Sequence, residues 1–276
     1  MLGKLIKHEF RATARIMLPV SGALLILALL GNLSIRGLSG SLSNVPALRL
    51  FLVFVVVAFG AAIVAAAVMA MVIMISRFYR NLLKDEGYLM FTLPVSVHGL
   101  VWAKVIVSLV WFLVTGGLIC LVCSATSLNI SGTSLATAFS EMPSWAEIKE
   151  ALKEIGIYDR LFGLTLQGIL AGLLVLVTTC LHFYAAMSLG HMFSKNKILL
   201  SIAFFVVISF AFSMMQMSFG MAGLETLDRF NPLFEAENEF RYMSVLLWVF
   251  IGLKALQGAV LYFATVLSLK KGLNLE

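Results

Sequence analysis

Six uncharged apolar runs, each close to the length needed to cross a bilayer, constrain this chain more than any other feature. They extend from about Ile16 to Leu33, Leu50 to Ile75, Val101 to Ala125, Leu161 to Leu189, Ile198 to Met217 and Val245 to Leu269, the last interrupted only by Lys254. A helical span needs about 20 apolar residues. Backbone inside hydrocarbon must satisfy its own hydrogen bonds, which leaves helices or closed barrels. Period-two alternation is absent, so the expected class is all-α, a polytopic membrane protein with about six transmembrane helices. Composition agrees: 61 % of residues are hydrophobic, 12 % are charged, and mean hydropathy is +1.01. A soluble domain carries about 25 % charged residues. With six spans drawn, residues 1–276 read as a single membrane domain with no room for a second, soluble one.

Basic residues in the short connections predict orientation. With the N-terminus cytoplasmic, the inner segments hold twelve basic residues against four acids, and the outer segments seven against ten. Both termini are therefore expected on the cytoplasmic side. In "MLGKLIKHEFRATARIM", Leu2, Leu5, Ile6 and Phe10 recur at helical spacing, opposite Lys4, Lys7, His8, Arg11 and Arg15. This stretch is longer and more patterned than the start of a signal peptide. Residues 2–15 are expected to form an interfacial amphipathic helix with its cations near anionic headgroups. It serves either as a positive-inside anchor or in a mechanical role.

Two outer connections are long. In residues 126–160, "PSWAEIKEALKEIG" places Trp145, Ile148, Leu152 and Ile155 on one face of a short surface helix. Residues 218–244 mix apolar triplets with acids around Asn231-Pro232, and the hypothesis they suggest is a connection that dips partly into the membrane. Cys120, Cys123 and Cys180 lie inside apolar runs without a second ligand pair, so they read as inert packing residues and no metal site is expected.

Catalytic signatures are missing. There is no G-x-x-x-x-G-K-[ST] loop, no H-E-x-x-H and no G-x-S-x-G. Basic charge serves membrane orientation, and nothing points to nucleic acid. Inside the spans the polar groups are Lys254, Gln257, Gln167 and His182. An intramembrane ionisable residue is a functional candidate by default. Lys254 either contacts substrate or a partner, or snorkels to the outer interface. For His182 and Gln167, interhelical hydrogen bonds are expected. No acid lies within the spans as drawn, which argues against an ion-coupled carrier built on buried carboxylates.

The segment joining the second and third spans, residues 77–100, is the least membrane-like and the most structured. "SRFYRNLLKDE" continues helically, with Phe78, Leu82 and Leu83 available for packing. Gly87 is expected to end that helix with a positive φ, Pro94 stops any continuation, and Ser96 is placed to cap the third span. Tyr88, Leu89, Met90 and Phe91 then form an apolar-aromatic tetrad. It either docks a partner, as apolar anchors rimmed by charge do, or lies in the lipid interface.

The order of these features resembles an ABC-2 type transporter permease, the membrane-spanning subunit of a bacterial ABC transporter. The likeness covers essentially the whole chain and is most specific in "RFYRNLLKDEGYLMFTLPVSVHGLVWAK", residues 77–104. "LPVS" at 93–96 resembles the segment such permeases carry before their third span. The resemblance implies a coupling helix that docks into a separate ATPase subunit, here through Leu83, Lys84, Asp85, Glu86, Gly87, Tyr88, Leu89, Met90 and Phe91. It further implies a second permease subunit, identical or different, a cytoplasmic-membrane location, and ATP and Mg held by the ATPase rather than by this chain. Spans two and five would line the substrate pathway. There Ala61, Ala62, Ala65, Ala66 and Ala67 would suit close helix approach, and Met214, Met215 and Met217 would give either an adaptable lining or ordinary lipid-facing surface. Lys254 and Gln257 are the polar candidates for that pathway. Lys254 departs from the family pattern. The competing class is a membrane scaffold or sensor whose loop docks a signalling protein.

Overall fold

A computed structural model of the chain describes residues 2–40, 45–84, 87, 95–130, 140, 142–193, 196–230 and 236–271. Among them there are seven α-helices and no strand: α1 (Leu2–Ser39), α2 (Pro46–Phe78), α3 (Val97–Ile130), α4 (Trp145–Glu154), α5 (Tyr158–Gly190), α6 (Lys197–Phe230) and α7 (Ala236–Lys271). All but α4 are long and apolar enough to cross a membrane. The chain is an all-helical, multi-pass membrane protein, as its apolar runs require.

The helices overrun the spans drawn from hydropathy, because helical dihedrals do not stop where the apolar window stops. Residues 2–15 are helical, as expected, and continue without a break into the first span, in a helix of 38 residues with Pro19 inside it. Likewise α3 reaches Ile130, α6 reaches Phe230, and α7 begins at Ala236. Most of the connection expected at 218–244 is therefore helix, and Asn231-Pro232 lies outside the described residues. The expected surface helix is present as α4. It ends in a Schellman motif, with Gly156 N–H donating to Lys153 O (3.0 Å) and Ile157 N–H to Leu152 O (3.1 Å). Gly156 takes the left-handed φ of 74° that this motif favours. Its apolar face is covered only in part. Ile148 and Leu152 are half-buried, while Trp145 and Ile155 stay exposed.

The chain divides into two compact units, residues 1–76 with 106–144, and residues 77–105 with 145–276. In the first, α1 buries Met17, Leu24, Ala28 and Gly31, a stripe at helical spacing, and exposes Leu18, Ile26, Leu29 and Leu33. Met17 packs with Ala70 and Ile73 of α2 and with Val107 and Trp111 of α3. The Trp111 ring stacks on Phe10 (centroids 5.2 Å, 12°) and its Nε1 donates to Thr13 Oγ1 at 2.8 Å. That pair ties the basic end of α1 to α3. Further along, Asn32 Nδ2 donates to Thr126 Oγ1 of α3 at 3.2 Å. Of the alanines singled out on α2, Ala66 is buried and Ala61, Ala65 and Ala67 are exposed. Cys120 and Cys123 are exposed rather than packed, whereas Cys180 of the second unit is buried.

In the second unit α5 is the central element. It packs extensively on α7 and also on α6, while α6 and α7 touch at few points.

Candidate functional site

Where α2 ends, the backbone loosens into one π-helical turn, Tyr79–Leu83. Such turns rotate the following side chains relative to an α-helix and recur at functional sites. Here Asn81, Leu82 and Leu83 all turn inward. Just before the turn, the Phe78 ring lies face to face on Tyr184 of α5, with centroids 4.0 Å apart and planes within 9°. Both rings are sealed from solvent, Phe78 at 0 % and Tyr184 at 1 % exposure. Tyr79 meets His191, the residue capping α5, edge to face at 5.3 Å. Lys104 of α3 is buried and donates from Nζ to Arg77 O at 3.4 Å, so a third helix holds the same turn. This is an aromatic clamp. It fixes the end of α2 where the chain leaves for the 84–96 connection.

Phe78, Leu82 and Leu83 pack as their spacing predicted, and Ser96 caps α3 by accepting from Gly99 N–H at 3.3 Å. Two expectations change. Leu83, placed by sequence among docking residues, is 6 % exposed inside the unit, so it belongs to the clamp and Lys84 is the first outward residue. Gly87 does not terminate a helix through positive φ. The turn has already ended at Lys84, whose backbone is extended (φ −107°, ψ −170°). Glycine is required at 87 for a different reason: a Cβ there would lie 2.6 Å from Leu82 O, and Gly87 N–H closes onto Lys84 O at 2.7 Å. Asp85, Glu86, Tyr88, Leu89, Met90 and Phe91 lie outside the described residues.

His191 is buried beside the clamp. Burial holds its imidazole below the usual histidine range, and the Lys197 charge pushes the same way against a hydrogen bond to Met187 O (2.9 Å). That bond requires the proton on Nδ1, since a carbonyl only accepts.

A second constellation lies among the membrane-spanning parts of α5, α6 and α7. Lys254 Nζ donates to Gln257 Oε1 at 3.2 Å and sits 5.6 Å from the centre of the Phe250 ring. Gln216 of α6 donates from Nε2 to the same Gln257 oxygen, also at 3.2 Å. Gln257 is buried at 5 % exposure. Lys254 does not stand alone at an interface; it is turned onto a buried amide. Nearby in sequence, Met214 is exposed and Met215 half-buried.

His182 of α5 donates from Nε2 to Phe205 O (3.3 Å) and shares that proton with Ser209 Oγ (3.0 Å) of α6. Gln167 donates to Ser244 Oγ of α7 at 2.7 Å. Both make the interhelical bonds expected of them. Sequence reasoning missed Gln216, Ser209, Tyr184 and His98. His98 sits at the start of α3, bonded at 2.6 Å to Tyr262 OH and at 3.3 Å to Lys270 Nζ of α7. Each is one polar or aromatic side chain whose partner lies on a different helix, and helical spacing along one segment does not reveal such pairs. Among the described residues no group of three or more His, Cys, Asp or Glu could hold a metal ion. Compared with models of known protein families, with curated proteins and with solved structures, the chain matches none.

Proposed function

We propose that this chain is the membrane-spanning permease subunit of an ATP-driven transporter of the ABC-2 type, working as an exporter with a separate ATPase subunit. The observation that carries the reading is the clamp at Phe78–Tyr184, with its extension to Leu83 and Lys104. A connection that only joined two spans would need no sealed aromatic stack at its root. A connection that transmits force does, because motion of its tip reaches α2, α3 and α5 only if the root is rigid.

In this reading the tip is "KDEGYLMF", residues 84–91, facing the cytoplasm. In sequence, charged Lys84, Asp85 and Glu86 precede Tyr88, Leu89, Met90 and Phe91, the composition of an interface rather than of a solvated loop. ATP binding closes the partner ATPase dimer, the seated tip moves, and the clamp passes that movement into the spans. Two permease subunits complete the transporter. The chain holds no nucleotide; ATP and Mg stay with the partner. The location is the bacterial cytoplasmic membrane, and the basic inner connections support that orientation.

The test is copurification. The tagged full chain is expected to retain a polypeptide carrying G-x-x-x-x-G-K-[ST], with ATP hydrolysis. Asp85→Lys with Glu86→Lys, or Tyr88→Ala with Phe91→Ala, is expected to release it. Retention and undiminished hydrolysis in both double variants would refute the docking assignment.

A further inference from the structure

Lys254 stands 13 residues from Arg241 and 16 from Lys270, the charges that bound its helix. At 1.5 Å per residue it is about 20 Å from one and about 24 Å from the other, far beyond the reach of a lysine stem. Its ammonium is therefore deep in the membrane. A cation there is costly unless an anion or a set of acceptors meets it.

The chain supplies little. No Asp or Glu occurs between residues 160 and 224 or between 240 and 275, the stretches that form the spans of α5, α6 and α7, nor in the other apolar runs. The acceptor it does supply, Gln257 Oε1, is neutral and is shared with Gln216. An ammonium has three N–H donors, and one is used on that oxygen. The missing component is negative charge.

The surroundings restrict what can bring it. Helices α6 and α7 scarcely touch each other, yet Gln216 and Gln257 bridge them at the level of Lys254. Beside that bridge α6 exposes Val206, Val207, Phe210, Met214 and Met217. A free hydrophilic anion would have to shed its hydration to reach such a depth. An anion attached to a hydrocarbon tail would leave the tail in an apolar setting.

We infer that the Lys254–Gln257–Gln216 cluster binds the anionic head, carboxylate or phosphate, of a membrane-borne amphiphile whose tail lies along the exposed face of α6. The binding does not depend on an ATPase; only the naming of this amphiphile as cargo rests on the transporter reading. The assay contains no ATPase, so a failure here and a failure of copurification are separate results.

The experiment uses the full chain in nanodiscs of phosphatidylcholine and measures binding of radiolabelled oleate. Lys254→Gln is expected to weaken binding about 10- to 100-fold, the usual loss when hydrogen bonds to a charged group are removed. Lys254→Arg should keep affinity within about threefold, since the charge is preserved. Oleyl alcohol and acetate, tail without charge and charge without tail, should fail to compete. Phosphatidylglycerol competing as well as oleate assigns the site to bilayer lipid; failure to compete assigns it to a separate carboxylate amphiphile. As a measurement independent of any variant, a diazirine-bearing oleate should label residues 205–217 and 250–261 of the wild-type chain. Equal affinity in wild type and Lys254→Gln, equal competition by oleyl alcohol, or labelling confined to other segments would overturn the assignment.

Discussion

The aromatic clamp and the lysine cluster belong to the same compact unit and are built from opposite materials. At the clamp, Phe78 and Tyr184 are stacked at 4.0 Å and closed to solvent, with Leu82 of the adjoining turn also at 0 % exposure. At the cluster, Lys254 and Gln216 are half-buried and meet on one buried amide oxygen across two helices that touch at few points. Close-packed aromatic contacts have no alternative arrangement of similar energy, so they transmit displacement. Interhelical hydrogen bonds in a membrane are worth only about 0.6 kcal/mol on average, since the separated groups find other partners. The proposed permease reading uses both: a stiff joint where force would enter, and an adaptable contact where something would pass or dock.

The largest effect that would break this contrast is at the joint. Phe78→Ala is expected to cost about 3–5 kcal/mol, as for other buried aromatic truncations, read as a loss of thermal stability of the purified chain. Phe162→Ala, which removes an exposed ring whose stacking partner among the described residues is Tyr158 at 6.1 Å, is the control and should be nearly silent. If the two variants melt alike, the clamp is not the rigid element described. Next in size, Gln257→Leu strands the Lys254 ammonium without its amide and is expected to cost about 1–3 kcal/mol. A double-mutant cycle between Gln216→Leu and Lys254→Gln sharpens the comparison, with a coupling of about 0.6 kcal/mol expected through the shared oxygen. A coupling of about 3 kcal/mol, the upper end for residues in contact, would make the cluster a structural brace instead.

The smallest effect is pH dependence at His191. Its folded form titrates below the usual value, so the unfolded chain binds the extra proton first and stability rises with pH. The contribution is complete above about pH 6.5, the unperturbed histidine value, and is lost as pH falls through the depressed folded value. The groups facing the imidazole are the Tyr79 ring, Met187 O and the Lys197 charge. His191→Gln should flatten the stability profile in that acidic window and leave the profile above it unchanged, as followed by melting temperature against pH.

Much of this was legible from residues alone, and the exceptions share a cause. Six spans follow from run length because lipid leaves the backbone no choice. The Ser96 cap and the inward packing of Phe78, Leu82 and Leu83 follow from local spacing; the bond from Lys254 to Gln257 does not, since the sequence offered substrate, a partner or the outer interface for that lysine. The π-turn at Tyr79–Leu83 did not follow either. A one-residue change in helical phase depends on what α5 and α3 present, and a single segment carries no sign of it. Gly87 was marked for the wrong reason: glycine answers equally to positive φ and to close backbone approach, and only the position of Leu82 O separates them. Gln216 and Ser209 became visible only once α6 was set against its neighbours.

Lys84 is exposed at the end of the clamp and is the place to test what the joint drives. With a photo-cross-linking residue at position 84 of the otherwise native chain, irradiation of intact cells is expected to give an adduct with a polypeptide bearing a phosphate-binding G-x-x-x-x-G-K-[ST] loop. Adducts with phospholipid alone, while that polypeptide is present in the same cells, would contradict the account.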